Sequence, residues 1–515
     1  MSRFISRRRF LEDSLLGITA AAGAAYTASA TALAQQATGS ASANDKIGVA
    51  IIGSGGRAGD HRGYFTRNNR CAILYIVDPD ASRMPDKLVN DIAATQDGIK
   101  PQRIPDMRRA FDDKSVDIVS VATSNHWHAL TGVWAVQAGK HVYLEKPGSH
   151  NVYEGMALAA ASKKYNKVVQ IGTQCRSNPS NINAVAFIRE GGIGEVKFSR
   201  GLCYKRRPAI GALGNFPIPV GVDYDIWSGP APIRPITRQR FDYDWHWQRL
   251  YGNGDLGNQG PHQTDIARWH LGVERHPNVI IAYGGRLGYD KANPKDNDPN
   301  YIDAGDTANT EVAIYDYGDK CMVFETRGLA TPSLRIPNAA ANDNRAAASV
   351  GVITYGSKGY VVQSEYGYSA AYDLEGTRIK EFTGGGDHFR NFVDAVAKGD
   401  PSAVNADAAC GALSSALSHF GNISYYLGEK NKVSVAELKE RLKEIKSLDN
   451  NDETVDRTVA HLQASKVELD KTPMSVGPLL KFDNETKRFT NNDEANAMLT
   501  REYRAPYIVP KPENV

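Results

Sequence analysis

The chain has 515 residues, 41% hydrophobic and 23% charged, and its 61 lysines and arginines nearly balance 58 aspartates and glutamates for a formal charge of +3. A chain of that length buries more than one core and divides into two or more domains. The small net charge, with bases and acids interleaved as in Glu437 to Lys446, leaves no footprint of a nucleic-acid surface, and no stretch after residue 34 stays apolar for the roughly 18 residues of a membrane span.

Ser6-Arg7-Arg8-Arg9-Phe10-Leu11-Glu12 precedes an uncharged, Ala-rich segment from Ser14 that closes in Ala32-Leu33-Ala34. A twin arginine, a modest apolar region and a small-residue end read as a Tat export signal over residues 1–34. The expectation is a protein delivered already folded, with its cofactor loaded, to the periplasm or beyond. Residues 35–45, Ser/Ala/Gly-rich, read as a linker. The five cysteines, Cys71, Cys175, Cys203, Cys321 and Cys410, are scattered and odd in number, without zinc-site or disulfide-framework spacing. They are expected to be core thiols, with a Cys203–Cys410 pair left open.

Residues 46–172 alternate strand and helix. Ile47 to Ile52 is a near-continuous β-rich run, as expected of a central parallel strand covered on both faces. Gly53-Ser54-Gly55-Gly56-Arg57-Ala58 follows with the spacing G-x-G-x-x-A: a tight turn at Gly53, close backbone approach to a pyrophosphate at Gly55, and a residue small enough for helix packing at Ala58. A second strand, Ala72 to Val77, ends in Asp78, where the fingerprint places an acid for the adenosine ribose. That carboxylate favours NAD over NADP, and Arg83 nearby softens the preference; the competing reading of Asp78 is a helix cap before Pro79. A third strand, Val116 to Ala122, runs into Thr123-Ser124-Asn125-His126-Trp127-His128 and a helix over Ala129 to Ala138. His141 to Leu144 is then a short apolar strand ending in Glu145-Lys146-Pro147. Ligands of open α/β sheets bind at that edge, so Lys146 faces a crevice, where an ammonium holds a substrate oxygen or relays its proton. A helix from Val152 to Tyr165 and a strand from Lys167 to Ile171 complete a doubly wound parallel sheet.

Residues 173–430 change pattern. Glu195 to Tyr204, Glu311 to Tyr315, Met322 to Thr326, Val352 to Tyr355 and Tyr360 to Gln363 read as strands joined without long helices, an α+β domain with a largely antiparallel open sheet. Asp244-Trp245-His246-Trp247 is followed by the Gly-rich run Gly252 to Gly260, which does not read as regular helix, and by a helix over His262 to Leu271. His262, Asp265 and Trp269 stand at i, i+3 and i+7 along one face. That face, with the tryptophans, reads as a sugar site; the bland alternative is a capped structural helix with a satisfied histidine. Asp387 caps an amphipathic helix carrying Phe389, Phe392, Val393 and Val396, Leu413 to Leu427 is another, and both are assigned to the core. Residues 431–515 form a C-terminal extension with a charged helix at Val435 to Ile445 and a Pro-punctuated tail, expected to wrap a neighbour or the pocket.

Taken in order, Gly53-x-Gly55 with Asp78, Thr123-x-Asn125-His126-x-His128 and Glu145-Lys146-Pro147 resemble the Gfo/Idh/MocA family, the glucose-fructose oxidoreductase and inositol dehydrogenase group. The resemblance implies a Rossmann domain, a second α+β domain whose open sheet face serves oligomerisation into dimers or tetramers, and Lys146 beside the nicotinamide and the substrate carbinol. The expected cofactor set is Gly53, Gly55, Gly56, Arg57, Asp78, Asn125, His128, Glu145 and Lys146, holding NAD, with NADP possible. Trp245, His246, Asn258 and Asp265 are the expected substrate set, and Lys146 and His262 the catalytic pair. Family dehydrogenases carry an aspartate four residues before the matching histidine; here that position is Asn258, which is no carboxylate partner for His262. No metal site is expected, although His126, His128 and His262 are free to meet. The leading expectation is therefore an NAD(P)-dependent oxidoreductase acting on a secondary alcohol of a sugar. The alternative is an NAD-dependent glycosidase or lyase that oxidises its sugar transiently, eliminates and returns the hydride; a non-catalytic NAD-binding sensor is the third reading.

Overall fold

The computed structural model describes residues 46–289 and 301–515; the expected export signal and linker lie outside them. The first domain runs β1 (Ile47–Ile52), α1 (Ala58–Arg67), β2 (Cys71–Val77), α2 (Asp86–Thr95), β3 (Gln102–Ile104), α3 (Arg108–Asp112), β4 (Ile118–Val121), α4 (Asn125–Gln137), β5 (His141–Leu144), α5 (Val152–Lys164) and β6 (Val169–Ile171). Its six strands are parallel in the order β3-β2-β1-β4-β5-β6. On one face Leu130 and Val133 of α4 and Leu158 of α5 pack on Val119, Val121 and Leu144. On the other, Phe65 of α1 and Val89 of α2 pack on Val49, Ile51 and Ile73. Strands buried on both faces need apolar residues at every position, which is why β1 and β5 are legible as unbroken runs. The strand order reverses between β1 and β4, and the loops leaving those carboxyl ends carry the glycine turn, Asn125 and, one strand over, Lys146.

Two boundaries depart from the sequence reading. β3 was not anticipated, because it has three residues and two of them are exposed. Helix α4 starts at Asn125 rather than Ala129: Asn125, His126, Trp127 and His128 are all buried, so packing overrides their modest helix propensity.

The second domain contains α6 (Pro179–Arg189), β7 (Val196–Tyr204), α7 (Tyr224–Ser228), α8 (Gly254–Asn258), α9 (Gly260–Leu271), β8 (Val279–Gly285), β9 (Thr310–Asp316), β10 (Cys321–Arg327), a small hairpin of β11 (Leu334–Arg335) and β12 (Ala347–Ala348), then β13 (Val350–Gly356), β14 (Gly359–Glu365), β15 (Tyr368–Asp373), β16 (Arg378–Thr383), α10 (His388–Lys398) and α11 (Ala408–Leu427). The extension adds α12 (Val435–Arg441), α13 (Asn451–Ala464), β17 (Ser475–Val476), β18 (Leu480–Asp483), β19 (Arg488–Phe489) and α14 (Asp493–Ala497). The large sheet runs β16-β15-β14-β13-β7-β10-β9-β8-β18-β19 with β17 beside β8, and is antiparallel except where β7 meets β10. Its inner face buries Ala313, Met322, Phe324 and Val352 against Ile266 and Leu271 of α9 and Leu417 and Phe420 of α11. The Asp387 cap is present, with Oδ1 accepting from Arg390 N at 2.9 Å, and α10 inserts Phe389 and Phe392 into the first domain's core. The Gly-rich run is helical after all: Gly254 takes φ of +64° to enter the short α8, and α9 begins directly afterwards at Gly260. None of the five cysteines forms a disulfide, Cys203 and Cys410 included.

Over β8, β9 and β10 the outer face of the large sheet, which the resemblance leaves for a second subunit, is filled by this chain's own extension. Leu438 and Leu442 at α12 and Val455 and Leu462 of α13 pack on Ile281, Tyr283, Ile314 and Val323. Beneath them Glu325, fully buried, pairs with Arg200, with Arg327 at 2.8 Å and with Arg457 of α13 at 2.9 Å, and accepts from the Tyr204 hydroxyl at 2.6 Å. Burial opposes the ionised form, yet the three guanidiniums hold the carboxyl at about 2. The tail then returns to the first domain, where Tyr507, Val509 and Val515 join the core beneath α4 and α5.

If α13 is integral to the fold, Leu462→Ala, at a fully buried position, is expected to destabilise the protein by about 2–5 kcal/mol; a loss below about 0.5 kcal/mol in denaturant titration would show that the extension packs only loosely. Acid lability is a second expectation. Burial pushes His126, His246, His262, His270, His276 and His419 down to about 3. With folded values below the ordinary ~6.5, the unfolded chain binds more protons in between, so stability present above about pH 6.5 is lost as pH falls toward 3. Glu311, Glu154 and Asp78, pushed up by burial to about 8, 7 and 6, act in the opposite sense but are fewer. Melting temperature should fall between pH 7 and 5 with net proton uptake on unfolding; a flat profile contradicts the burial of the histidines.

Candidate functional site

The site is built on the glycine turn after β1. Gly53 has φ of +83°, and a Cβ there would stand 2.6 Å from the Ala122 carbonyl oxygen at the end of β4, so only glycine closes the turn. At Gly56 a Cβ would meet nothing within 4 Å and at Gly55 only the tip of Arg83, at 3.7 Å: the backbone edge is open to a ligand. Asp78 does not cap a helix. Its Oδ2 accepts from Ser54 N at 2.7 Å and its Oδ1 from Asp80 N at 2.9 Å, tying the end of β2 to the glycine turn, while Asp80 caps the 3₁₀ turn Ala81–Arg83.

These loops open on a cavity of about 430 Å³ lined by Gly53, Gly55, Gly56, Arg57, Asp78, Asn125, His128, Glu145 and Lys146 on one side and by Trp227, Tyr243, Trp245, His246 and Asn258 on the other. Arg57 and Glu145 meet each other: Arg57 Nε donates to Glu145 Oε1 at 2.7 Å, and His61 Nε2 of α1 lies 3.2 Å from the same oxygen. Burial works against the charge on Glu145, but the His61 and Arg57 bonds hold its carboxyl well below the usual carboxylate range. His128 bridges two loops, with Nδ1 2.6 Å from the Pro147 carbonyl and Nε2 3.1 Å from that of Thr123. The buried Oδ1 of Asn125 has no partner. An open glycine edge, an unpartnered amide oxygen in the cavity wall and a carboxylate at the end of β2 fit a dinucleotide.

Lys146 Nζ donates to the Asn258 carbonyl at 2.7 Å and lies 3.5 Å from its Oδ1. Desolvation lowers the lysine pKa, opposed by neighbouring Glu145. Asn258, at the end of α8, therefore serves Lys146 and not His262. His262 stands in the first turn of α9, 7% exposed, its Nδ1 unpartnered and its ring 5.1 Å from that of Tyr366. Burial and then the charge of Lys146 push it to about 3, so it is neutral. It is not among the residues lining the cavity.

Asp265, expected to bind substrate, is instead sealed in the core. It is 1% exposed, both oxygens accept from Arg176 Nε at 3.0 and 2.8 Å, and Ser414 Oγ donates to it at 2.6 Å. Trp269 lies against the same guanidinium, 4.8 Å from its ring centre. The common face of α9 is real, but Arg176, from the 3₁₀ turn after β6, claims its two later members. Trp245 and His246 do reach the cavity, their rings stacked 3.7 Å apart. Missed by sequence reasoning were Trp227, Tyr243 and Asp242 in the cavity wall; the aromatic density around Asp244 extends upstream to them and was the available signal. His126 bonds to the Trp227 carbonyl at 3.0 Å, so it, His128 and His262 each face a different partner.

Residues 47–173 match the model of the NAD-binding Rossmann fold of the GFO_IDH_MocA oxidoreductase family, and residues 208–286 match that of its C-terminal alpha/beta domain. Among curated relatives, the levoglucosan dehydrogenase of Pseudarthrobacter phenanthrenivorans is 29% identical over 178 residues, 34% of this chain and 38% of that protein. A glycosyl hydrolase family 109 protein of Shewanella pealeana is 24% identical over 156 residues, 30% of this chain and 34% of that protein. The match thus spans well under half the length of these relatives. The aldose-aldose oxidoreductase of Caulobacter crescentus superposes with a TM-score of 0.50 at 19% identity, covering 72% of this chain and 94% of that one, a likeness of fold alone. With the glycine turn and the Glu-Lys-Pro strand end framing one cavity, residues 47–173 and 208–286 are identified as the two domains of a Gfo/Idh/MocA oxidoreductase family protein.

Proposed function

We propose that the protein is an NAD(H)-dependent oxidoreductase acting on a secondary carbinol of a sugar or sugar derivative. The observation that carries this reading is the placement of Lys146: an ammonium at the carboxyl end of β5, lining the same cavity as the glycine turn and held by Asn258 on only one side. Gly53, Gly55, Gly56, Asp78 and Asn125 would hold the dinucleotide, which when bound supplies the hydride acceptor or donor. Glu145, fixed by Arg57 and His61, anchors the strand end so that Lys146 is aimed rather than mobile. The Lys146 ammonium binds the carbinol oxygen and stabilises its developing negative charge, the contribution expected of an oriented donor in a water-poor site. His262, neutral and in the first turn of α9 behind the lined wall of the cavity, is the residue this reading assigns as acceptor for the hydroxyl proton. Trp245 and His246 offer a flat wall suited to a sugar ring.

On this basis Lys146→Ala should lower kcat/KM for sugar oxidation at least about a hundredfold while leaving NAD affinity within about threefold. His262→Ala should act likewise. If both variants keep near-wild-type rates on an active substrate, the catalytic assignment fails.

A second reading has its own support. Asn258 replaces the expected carboxylate and engages Lys146, and 156 residues of the chain match a glycosyl hydrolase family 109 protein. On that reading the same residues serve a redox-neutral cleavage in which the sugar is oxidised, loses its aglycone and is reduced again. Glycosides incubated without added cofactor separate the two: NADH accumulating with the glycoside intact indicates net dehydrogenation, whereas repeated aglycone release without NADH indicates cleavage.

A further inference from the structure

The corner of the cavity beyond β2 holds an ion pair whose halves come from different domains. Arg83 Nη2 lies 2.5 Å from Asp242 Oδ2, and both residues line the cavity. Asp242 belongs to the segment between β7 and α8, which crosses over the nucleotide domain and is stitched to it by backbone bonds: Asp223 N to the Pro79 carbonyl at 2.8 Å and Ala81 N to the Gly221 carbonyl at 3.1 Å. The segment is not loose. Arg238, 1% exposed, stacks on Trp227 and Phe241 at 5.0 and 4.9 Å and donates to the Phe241 carbonyl, one residue before Asp242.

Arg83 in turn stands at the ribose-reading end of the cleft. Its Nη1 is 3.7 Å from where a side chain on Gly55 would begin, and its carbonyl accepts from Ser54 Oγ at 3.0 Å, next to the amide that binds Asp78. The fixed charges here are three carboxylates, Asp78, Asp80 and Asp242, against two guanidiniums, Arg83 and Arg62; the latter donates to the Ser54 carbonyl at 3.2 Å. A ribose 2′-hydroxyl needs only an acceptor. A 2′-phosphate adds about two negative charges and needs a guanidinium fork; that of Arg83 is already engaged, Nη2 by Asp242 and Nε, at 3.6 Å, by Asp80.

We propose that Asp242, reaching across from the second domain, takes the outer nitrogen of Arg83 that Asp80 leaves available and so sets the preference of this site for the 2′-hydroxyl of NAD over the 2′-phosphate of NADP. The inference rests on the dinucleotide reading of the cavity and adds to it a selectivity residue far from the glycine motif in sequence.

The experiment is equilibrium binding of NAD and NADP to cofactor-stripped, full-length protein. The variants are Asp242→Asn, Asp242→Ser, Arg83→Gln and the Asp242→Asn/Arg83→Gln double. Asp242 is half-exposed, so either change at that position is expected to fold. Releasing Arg83 should tighten NADP at least about tenfold, with NAD changed by less than about threefold, and the double variant should lose the gain. An unchanged NAD to NADP ratio in both Asp242 variants, or a gain that survives in the double variant, overturns the inference while leaving NAD binding intact. A wild-type protein that binds neither dinucleotide overturns the cofactor reading and this inference with it.

Discussion

A buried carboxylate, Glu145, is the constraint on which the site depends. Two side chains reach it from elements that must be placed relative to one another: the Arg57 guanidinium from the glycine turn and the His61 ring from α1. A buried charge without partners costs several kcal/mol, so the pairing fixes the turn, the first helix and the end of β5 together. Lys146 follows directly in sequence and inherits that rigidity. His128 adds a second tie between the Pro147 and Thr123 carbonyls, closing the loops after β4 and β5 into one frame. A polar group in such a frame meets a ligand with little reorganisation, the condition under which oriented donors are most effective.

The same principle recurs at the far side of the molecule. Glu325, surrounded by Arg200, Arg327 and Arg457, is a charge cluster on a sheet face that only the C-terminal extension removes from water. Apolar contacts from α12 and α13 surround it, so the face is committed within the chain. The extension then continues through the sheet edge at β18 and ends in the core of the first domain, where the Tyr507 ring lies 5.3 Å from that of Trp127. Residues 431–515 are therefore not an appendage: they complete one domain and brace the other.

Between the domains, the crossing segment before α8 forms the roof of the cavity. It carries its own aromatic core around Arg238 and contributes Trp227, Asp242, Trp245 and His246 to the wall. The ligand site is thus composite, with backbone recognition supplied by the nucleotide domain and side-chain shape supplied by the second.

What the sequence by itself determined is what rests on short-range pattern. Strands β1 and β5, buried on both faces, show as unbroken apolar runs; Gly53 is required by a turn that no other residue closes; Asp78, Asn125 and Lys146 reach one edge because parallel strands align their carboxyl ends. Tertiary structure alone decided which partner each side chain takes. Asp265 looked available on its helix until Arg176, 89 residues away, enclosed it. Asn258 faces Lys146 rather than His262, four residues on, because α8 and α9 are separate helices rather than one turn with continuous spacing. Asp242 meets Arg83 across a crossing segment, and α13 covers a sheet face, through contacts that no local period encodes. Helix and strand periodicity tells which way a side chain points relative to its own element; what lies opposite depends on chain closure over long separations, and there the identity of a partner, and with it the role of a residue, is set by the fold as a whole.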